Sequence, residues 1–263
     1  MKPNRLRELL RADQPTLGTH MNTVSPALVE ILGHTGAFDY VEFVGEYATY
    51  DLHDLDNTCR AAELYDLAAI IKVDQEPRGF LAQRALGSGF QGVLFADVRS
   101  AEDARQCVRI VRPETPDDGG IYGVAPRRFA YPAYGGTQRY VQALRDVVVM
   151  LMIEKGSTVE HLEEVLAVPG IDMIQWGPVD YAMSVGRPGA AGSPEVKAVE
   201  RRVIETALRM GVQPRAEIGS AEQARYYLDL GVRHFCVGWE TRIVFDWWKA
   251  NGEQLRKLVN DAG

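Results

Sequence analysis

Eight short runs of apolar, mostly β-branched or aromatic residues recur along the chain, at 17–21, 40–44, 69–73, 92–96, 147–153, 173–176, 213–216 and 234–237. Their near-continuous apolarity predicts strands buried on both faces, as in a parallel sheet covered by helices. Between the runs, apolar positions recur at helical spacing, and start signals stand where helices would begin. These are Ser25-Pro26 before ALVEILGHTG, Ser100 before AEDARQCVRIV, Ser157 before TVEHLEEVLAV and Ser220 before AEQARYYLDLG. A serine hydroxyl accepts an unpartnered amide hydrogen there, and Pro26 falls where no N–H is needed. Eight strand–helix alternations predict an α/β fold, a (β/α)8 TIM barrel in a single domain spanning 1–263. The charged segment 1–11 predicts a leading helix that closes the barrel floor.

Two stretches break the rhythm. Residues 113–145, rich in Gly, Pro and Tyr, predict an ordered loop over the active face with a short helix at its end. In it, Arg127 and Arg128 are candidates for recognising an acidic distal group of a substrate, and Tyr122, Tyr131 and Tyr134 for walling the entrance. Residues 177–193 predict a loop with a helical turn.

Composition narrows the functional class. The 263 residues carry 36 acidic against 29 basic side chains, a net charge of −7, with no basic cluster to meet phosphates, so no nucleic-acid partner is expected. No apolar run is long enough to span a membrane, and the charged start has no signal core, so a cytoplasmic protein is expected. Cys59, Cys107 and Cys236 are odd in number and widely spaced, which suits buried thiols in a reducing compartment.

In such a barrel chemistry sits at the carboxyl ends of the strands. His20, Glu46, Lys72, Asp97, Glu154, Asp180, Glu217 and Glu240 stand at or just past successive strands, the first four spaced 26, 26 and 25 residues apart. Loops are polar in any case, but carboxylates converging on one rim repel one another unless a cation lies among them. Hard oxygen donors without a closely spaced His pair suit Mg²⁺ or Mn²⁺, with Co²⁺ a further candidate. His34, His53, His161 and His234 fall on element bodies and read as structural.

From residue 17 to about 244 the chain resembles the HpcH/HpaI aldolases, metal-dependent lyases that cleave 4-hydroxy-2-oxo acids to pyruvate and an aldehyde. The resemblance is carried by LGTHMNTVSPALVEILGHTGAFDYVEFVGEY, GFQGVLFADVRSAEDA, the LMIEK strand end, GIDMIQWGPVDYAMSVGRPG and HFCVGWET. It implies Glu154 and Asp180 as metal ligands. It also implies that the backbone around Gly177, Pro178, Val179 and Asp180 holds a substrate carboxylate at a helix start, and that the metal stabilises an enolate as a Lewis acid.

The sequence departs from the family around this pocket. Where those aldolases carry Asp-Gly-Glu-His, with a His–Asp dyad as general base, this chain reads Val44-Gly45-Glu46-Tyr47. Lys72 replaces an expected Arg, keeping the charge but losing the bidentate fork, and Met152 replaces a Gln. His20 is the nearest replacement base; Glu46 is a candidate to order a metal-bound water and Tyr47 to donate a proton. Glu217 is either an extra acid/base or a partner of Lys72. The expected function is a metal-dependent carbon–carbon lyase acting on a 2-oxo acid and an aldehyde. A 2-oxo acid decarboxylase and a non-catalytic oxo-acid-binding homologue are the alternatives. Phe245, Trp247 and Trp248 on a C-terminal helix, about 240–260, suggest a subunit interface, and the resemblance implies a homo-oligomer, a hexamer with exchanged terminal helices.

Overall fold

The computed structural model describes residues 2–130 and 132–262. Helix α1 (Arg5–Arg11) leads into β1 (Thr16–Met21), α2 (Pro26–His34), β2 (Tyr40–Val44), α3 (Leu52–Leu64) and β3 (Ala68–Val73). Then come α4 (Arg78–Ser88), β4 (Gly92–Phe95), α5 (Ala101–Val111), α6 (Gln138–Arg145) and β5 (Val148–Ile153). The chain continues through α7 (Gly156–Glu160), α8 (Leu162–Leu166), β6 (Met173–Trp176), α9 (Pro178–Ser184), α10 (Pro194–Arg209) and β7 (Gln213–Ile218). It ends with α11 (Ala224–Asp229), β8 (His234–Trp239) and α12 (Glu240–Asp261). All eight strands pair in parallel and in order, with β8 closing on β1, which is the expected TIM barrel.

Ser25 and Ser100 cap α2 and α5 as expected, accepting from the amides of Leu28 and Asp103. Ser157 and Ser220 do not cap. Ser157 lies inside α7, where its hydroxyl donates to the Arg99 carbonyl, and Ser220 precedes a 3-10 turn without a side-chain cap.

Side chains alternate across each strand, so the barrel has two apolar compartments. The larger one lies between the strands and the helices; the smaller fills the barrel interior with Tyr40, Ile70, Leu94, Val148, Met150 and Met173. Leu6 of α1 joins that interior cluster and is buried, so the leading helix does close the floor. It is pinned by Arg7, whose guanidinium bonds both Asp172 carboxylate oxygens at 2.5 and 2.6 Å and the carbonyls of Asp146 and Val147. Gly18 is required beside the Tyr40 ring, because a Cβ there would lie 2.0 Å from it.

The barrel is not covered evenly. Helix α12 has no buried residue, and Phe245, Trp247 and Trp248 are more than half exposed. The outward side chains of β8, Phe235 and Val237, are left half-buried. Among the described residues, no helix is long and apolar enough to cross a membrane.

Truncating the floor plug, Leu6→Ala, is expected to destabilise the fold by about 2–5 kcal/mol, read as a lower urea midpoint with an unchanged slope.

Candidate active site

Strand alternation decides which side chains meet at the mouth. His20, Glu42, Val44, Lys72, Met152, Gln175, Arg215 and Glu217 occupy inward positions at or beyond the middle of the barrel, and with Glu154 they line a cavity of about 780 Å³. Gly177, Pro178, Val179 and Asp180, at the start of α9, form part of the same wall.

Glu154 is buried just past β5, and its Oε1 accepts from the Asp97 amide at 2.8 Å. Asp97 presents that amide from a left-handed conformation (φ 56°), which Asp tolerates better than most residues. Gly177 is needed opposite, since a Cβ there would lie 2.6 Å from Glu154 Oε2. Burial pushes the Glu154 carboxyl above its ordinary value, and nearby Asp180 adds to this; the Asp97 amide and the charges of Lys72 and Lys155 offset it only in part. Lys155 is itself buried, ion-pairs with Asp97 and stands 3.3 Å from Asp180 Oδ1. Two carboxylates at the cavity mouth, one of them buried, suit a hard divalent cation, which takes oxygen ligands. Among the described residues no cluster of three or more His, Cys, Asp or Glu side chains offers a complete cage.

The second group is Lys72, whose Nζ lies 2.5 Å from Glu46 Oε2, 3.3 Å from the Tyr47 hydroxyl and 4.8 Å from the centre of the Tyr47 ring. Burial alone would lower the ammonium's pKa, but the Glu46 carboxylate prevails and holds it above the ordinary lysine range. Lys72 therefore stays charged, which leaves no amine lone pair for a Schiff base. Burial likewise raises the Tyr47 hydroxyl, so Tyr47 is a neutral donor and not a base.

The third group surrounds His20. The β1–β2 register sets His20 beside Glu42, and the β6–β7 register sets Gln175 beside Arg215. Arg215 donates through Nη1 to Glu42 Oε2 and through Nε, at 2.7 Å, to Gln175 Oε1. The imidazole stands 3.7 Å from Glu42 through Nδ1 and 3.6 Å from Glu217 through Nε2. The Trp239 indole packs against it edge-on with centroids 5.5 Å apart.

Residues 17–244 match the HpcH/HpaI aldolase/citrate lyase family. The chain belongs to that family. A hydroxypyruvate/pyruvate aldolase of Paraburkholderia phytofirmans is 27% identical over 89% of this chain and 90% of its own. A 2-keto-3-deoxy-L-rhamnonate aldolase of Escherichia coli strain K12 is 28% identical over 92% and 90%. The crystal structure of a family protein from Burkholderia cenocepacia J2315 superposes with a TM-score of 0.81 at 27% identity, covering 97% of this chain and 99% of that one.

In this member of the HpcH/HpaI family the expected site residues do not all converge. His20, Tyr47, Lys72, Glu154, Gly177, Pro178, Val179 and Asp180 line one cavity, with Glu46 directly behind Lys72. Of the backbone groups expected to hold a carboxylate, the Gly177 amide already donates to the Ile153 carbonyl and Pro178 has none. The Val179 and Asp180 amides are left. Arg127 and Arg128 are elsewhere, because the long loop runs down the flank of α4 and not over the active face. Tyr122 donates to the Gln83 carbonyl of α4, Arg127 packs beside Gly87, and Arg128 pairs with Glu63 of α3. Both contacts fall near helix carboxyl ends, at the floor side of the barrel. Tyr122 and Tyr134 follow the same flank, and Tyr131 lies outside the described residues. Glu240 accepts from the amides of Asn22 and Thr23, a structural role. His234 bonds the Thr16 hydroxyl at 3.0 Å, and burial lowers it to about 4.

Sequence reasoning missed Glu42, Gln175 and Arg215 and the bridging role of Lys155. The available signal was period two: in YVEFV and QPRAEI a charge stands at the position that continues inward from Tyr40 and Gln213.

Burial alone would raise the Glu42 carboxyl, but the Arg215 guanidinium outweighs it and holds the group at about 2. A depressed carboxyl lends stability above its unfolded value, near 4.5, and that stability is lost as pH falls through the folded value near 2. Wild-type protein is thus expected to lose stability on acidification across this window more steeply than Glu42→Gln, measured by urea midpoints at stepped pH.

Proposed function

We propose that the protein is a cytoplasmic, divalent-cation-dependent lyase that makes or breaks the C3–C4 bond of a 4-hydroxy-2-oxo acid, with pyruvate or a close analogue and an aldehyde as the other participants. The observation that carries this reading is the opening of Glu154 and Asp180 onto one cavity with a charged Lys72 and a buried His20. Mg²⁺ or Mn²⁺, or Co²⁺, held by Glu154 and Asp180 would supply Lewis-acid charge at the 2-oxo oxygen. The Val179 and Asp180 amides suit the substrate carboxylate. Lys72, kept cationic by Glu46, adds positive charge on the same side, and Tyr47 covers it from solvent. His20 carries the proton that must leave the C4 hydroxyl during cleavage and return during synthesis. Free, buried cysteines agree with a reducing compartment.

Decarboxylation of an oxaloacetate-like acid is the second reading. It is favoured by Val44 and Tyr47 at the end of β2, where no imidazole–carboxylate dyad stands, since loss of CO₂ requires no hydroxyl to be deprotonated. The partner of α12 completes the proposal. Its exposed Phe245, Trp247 and Trp248 and the half-covered outer face of β8 are complementary apolar surfaces, which supports a homo-oligomer in which α12 covers another copy, a hexamer by family resemblance.

Hydrogen–deuterium exchange at the pyruvate methyl group, followed by NMR, tests the enolate chemistry. Exchange that requires Mg²⁺ or Mn²⁺ is expected; bound pyruvate without exchange would leave only an oxo-acid-binding protein, and CO₂ release from oxaloacetate without any aldol cleavage would select the decarboxylase. Glu154→Gln and Asp180→Asn are each expected to abolish Mn²⁺ binding measured by electron paramagnetic resonance, and wild-type affinity in either would remove that residue from the ligand set. The double substitution Trp247→Ser and Trp248→Ser is expected to lower the sedimenting mass to that of a monomer; an unchanged mass would place the contact elsewhere.

A further inference from the structure

Five polar side chains close a ring inside the barrel. Arg215 bonds Glu42 Oε2 on one side and Gln175 Oε1 on the other, and Gln175 Nε2 donates at 2.7 Å to Glu217 Oε2. Glu217 Oε1 then faces His20 Nε2 at 3.6 Å, and His20 Nδ1 faces Glu42 Oε1 at 3.7 Å. The ring is tight everywhere except at its two edges to His20. Both atoms of the inner edge's carboxylate–imidazole pair belong to buried groups, and Glu42 Oε1 and His20 Nε2 are the members left without a hydrogen-bond partner.

An unpartnered buried oxygen is costly. Arg215 engages Oε2, and the group that stands opposite the free Oε1 is Nδ1 of His20. We propose that Glu42 is the positioning carboxylate of His20, and that this pair, framed by Arg215 and Gln175, is the proton carrier of the site; the proposal rests on the lyase reading above. With Nδ1–H turned to Glu42, Nε2 is the acceptor nitrogen on the Glu217 side of the ring, buried in the cavity wall that His20 helps to line. Apo geometry leaves such contacts long, and they tighten when substrate binds. Trp239 on the far side limits the ring's rotation. The charged groups facing the imidazole are Glu42 from β2 and Glu217 from β7, with Arg215 behind Glu42; the Trp239 face is neutral.

The proton balance closes within the pair. In cleavage, the C4 hydroxyl gives its proton to Nε2, the C4–O bond becomes the aldehyde carbonyl, and the C3–C4 electron pair passes to the enolate. Nε2 then returns the same proton to C3, giving the methyl group of the 2-oxo acid. No further reactant enters.

The test uses full-length protein carrying ¹⁵N-histidine, examined at a pH where the His20 ring is neutral. Wild type is expected to show His20 protonated at Nδ1. In Glu42→Gln, Arg215 claims the amide oxygen and turns the NH₂ toward Nδ1, so the proton is expected at Nε2. Mg²⁺-dependent exchange of the pyruvate methyl should fall by about 10²–10⁴-fold with the apparent KM unchanged. An unaltered His20 nitrogen pattern or a wild-type exchange rate in Glu42→Gln would overturn the proposal. If Glu42→Gln does not fold, Glu42→Asp retains the charge beside Arg215 and withdraws the carboxylate from Nδ1. A reduced rate at unchanged KM then supports the pair, and a wild-type rate with a wild-type nitrogen pattern overturns it. Absence of exchange in the wild-type protein would defeat the lyase reading alone, because the His20 nitrogen pattern still decides whether Glu42 positions the ring.

Discussion

A closed parallel barrel sends every second strand residue into an interior that bulk water does not fill, so a charge at an inward position has to be answered by another inward side chain. This constraint organises the whole molecule. In the lower half it is met by excluding charge: Tyr40, Ile70, Leu94 and Met150 fill the space, and Leu6 seals it from below. In the upper half it is met by pairing, with Arg215 against Glu42 and Lys72 against Glu46. Parallel register makes the pairing achievable, because neighbouring strands bring His20 beside Glu42 and Gln175 beside Arg215 at the same height.

The pairing leaves the mouth with two regions of different character. Around β5 and α9, Glu154 and Asp180 lie among Lys72, Lys155 and the Asp97 amide, an arrangement of fixed charge suited to a cation and an oxyanion. Around β1, β2 and β7 the groups are held by hydrogen bonds, and only His20 has slack. Both regions open onto one cavity, whose wall also includes the apolar side chains of Met152 and Val44.

Much of this was legible in the chain. The strands were readable because most are nearly continuous apolar runs, and Glu154 and Asp180 were readable because they stand just past β5 and in the first turn of α9, in a recognisable context. The interior ring was harder to see. Glu42 and Arg215 lie 173 residues apart and meet only when the barrel closes, and neither forms a local motif. The long loop misled for a related reason. Its Arg127 and Arg128 look like ligands for an acidic group, but Glu63, remote in sequence, already engages Arg128, and the Tyr122 hydroxyl ties the loop to α4. Ser157 and Ser220 show the same limit at short range, since the Arg99 carbonyl competes for the hydroxyl of the first and a 3-10 turn displaces the helix start at the second.

Trp239 belongs to two elements at once. It is the last residue of β8, packed edge-on against His20, and also the residue from which α12 departs into solvent, immediately after Gly238 in a left-handed turn (φ 64°). A helix of 22 residues is a long lever on so short a joint. Because Trp239 both precedes α12 and packs against His20, the joint about which α12 would swing is also the wall behind the imidazole.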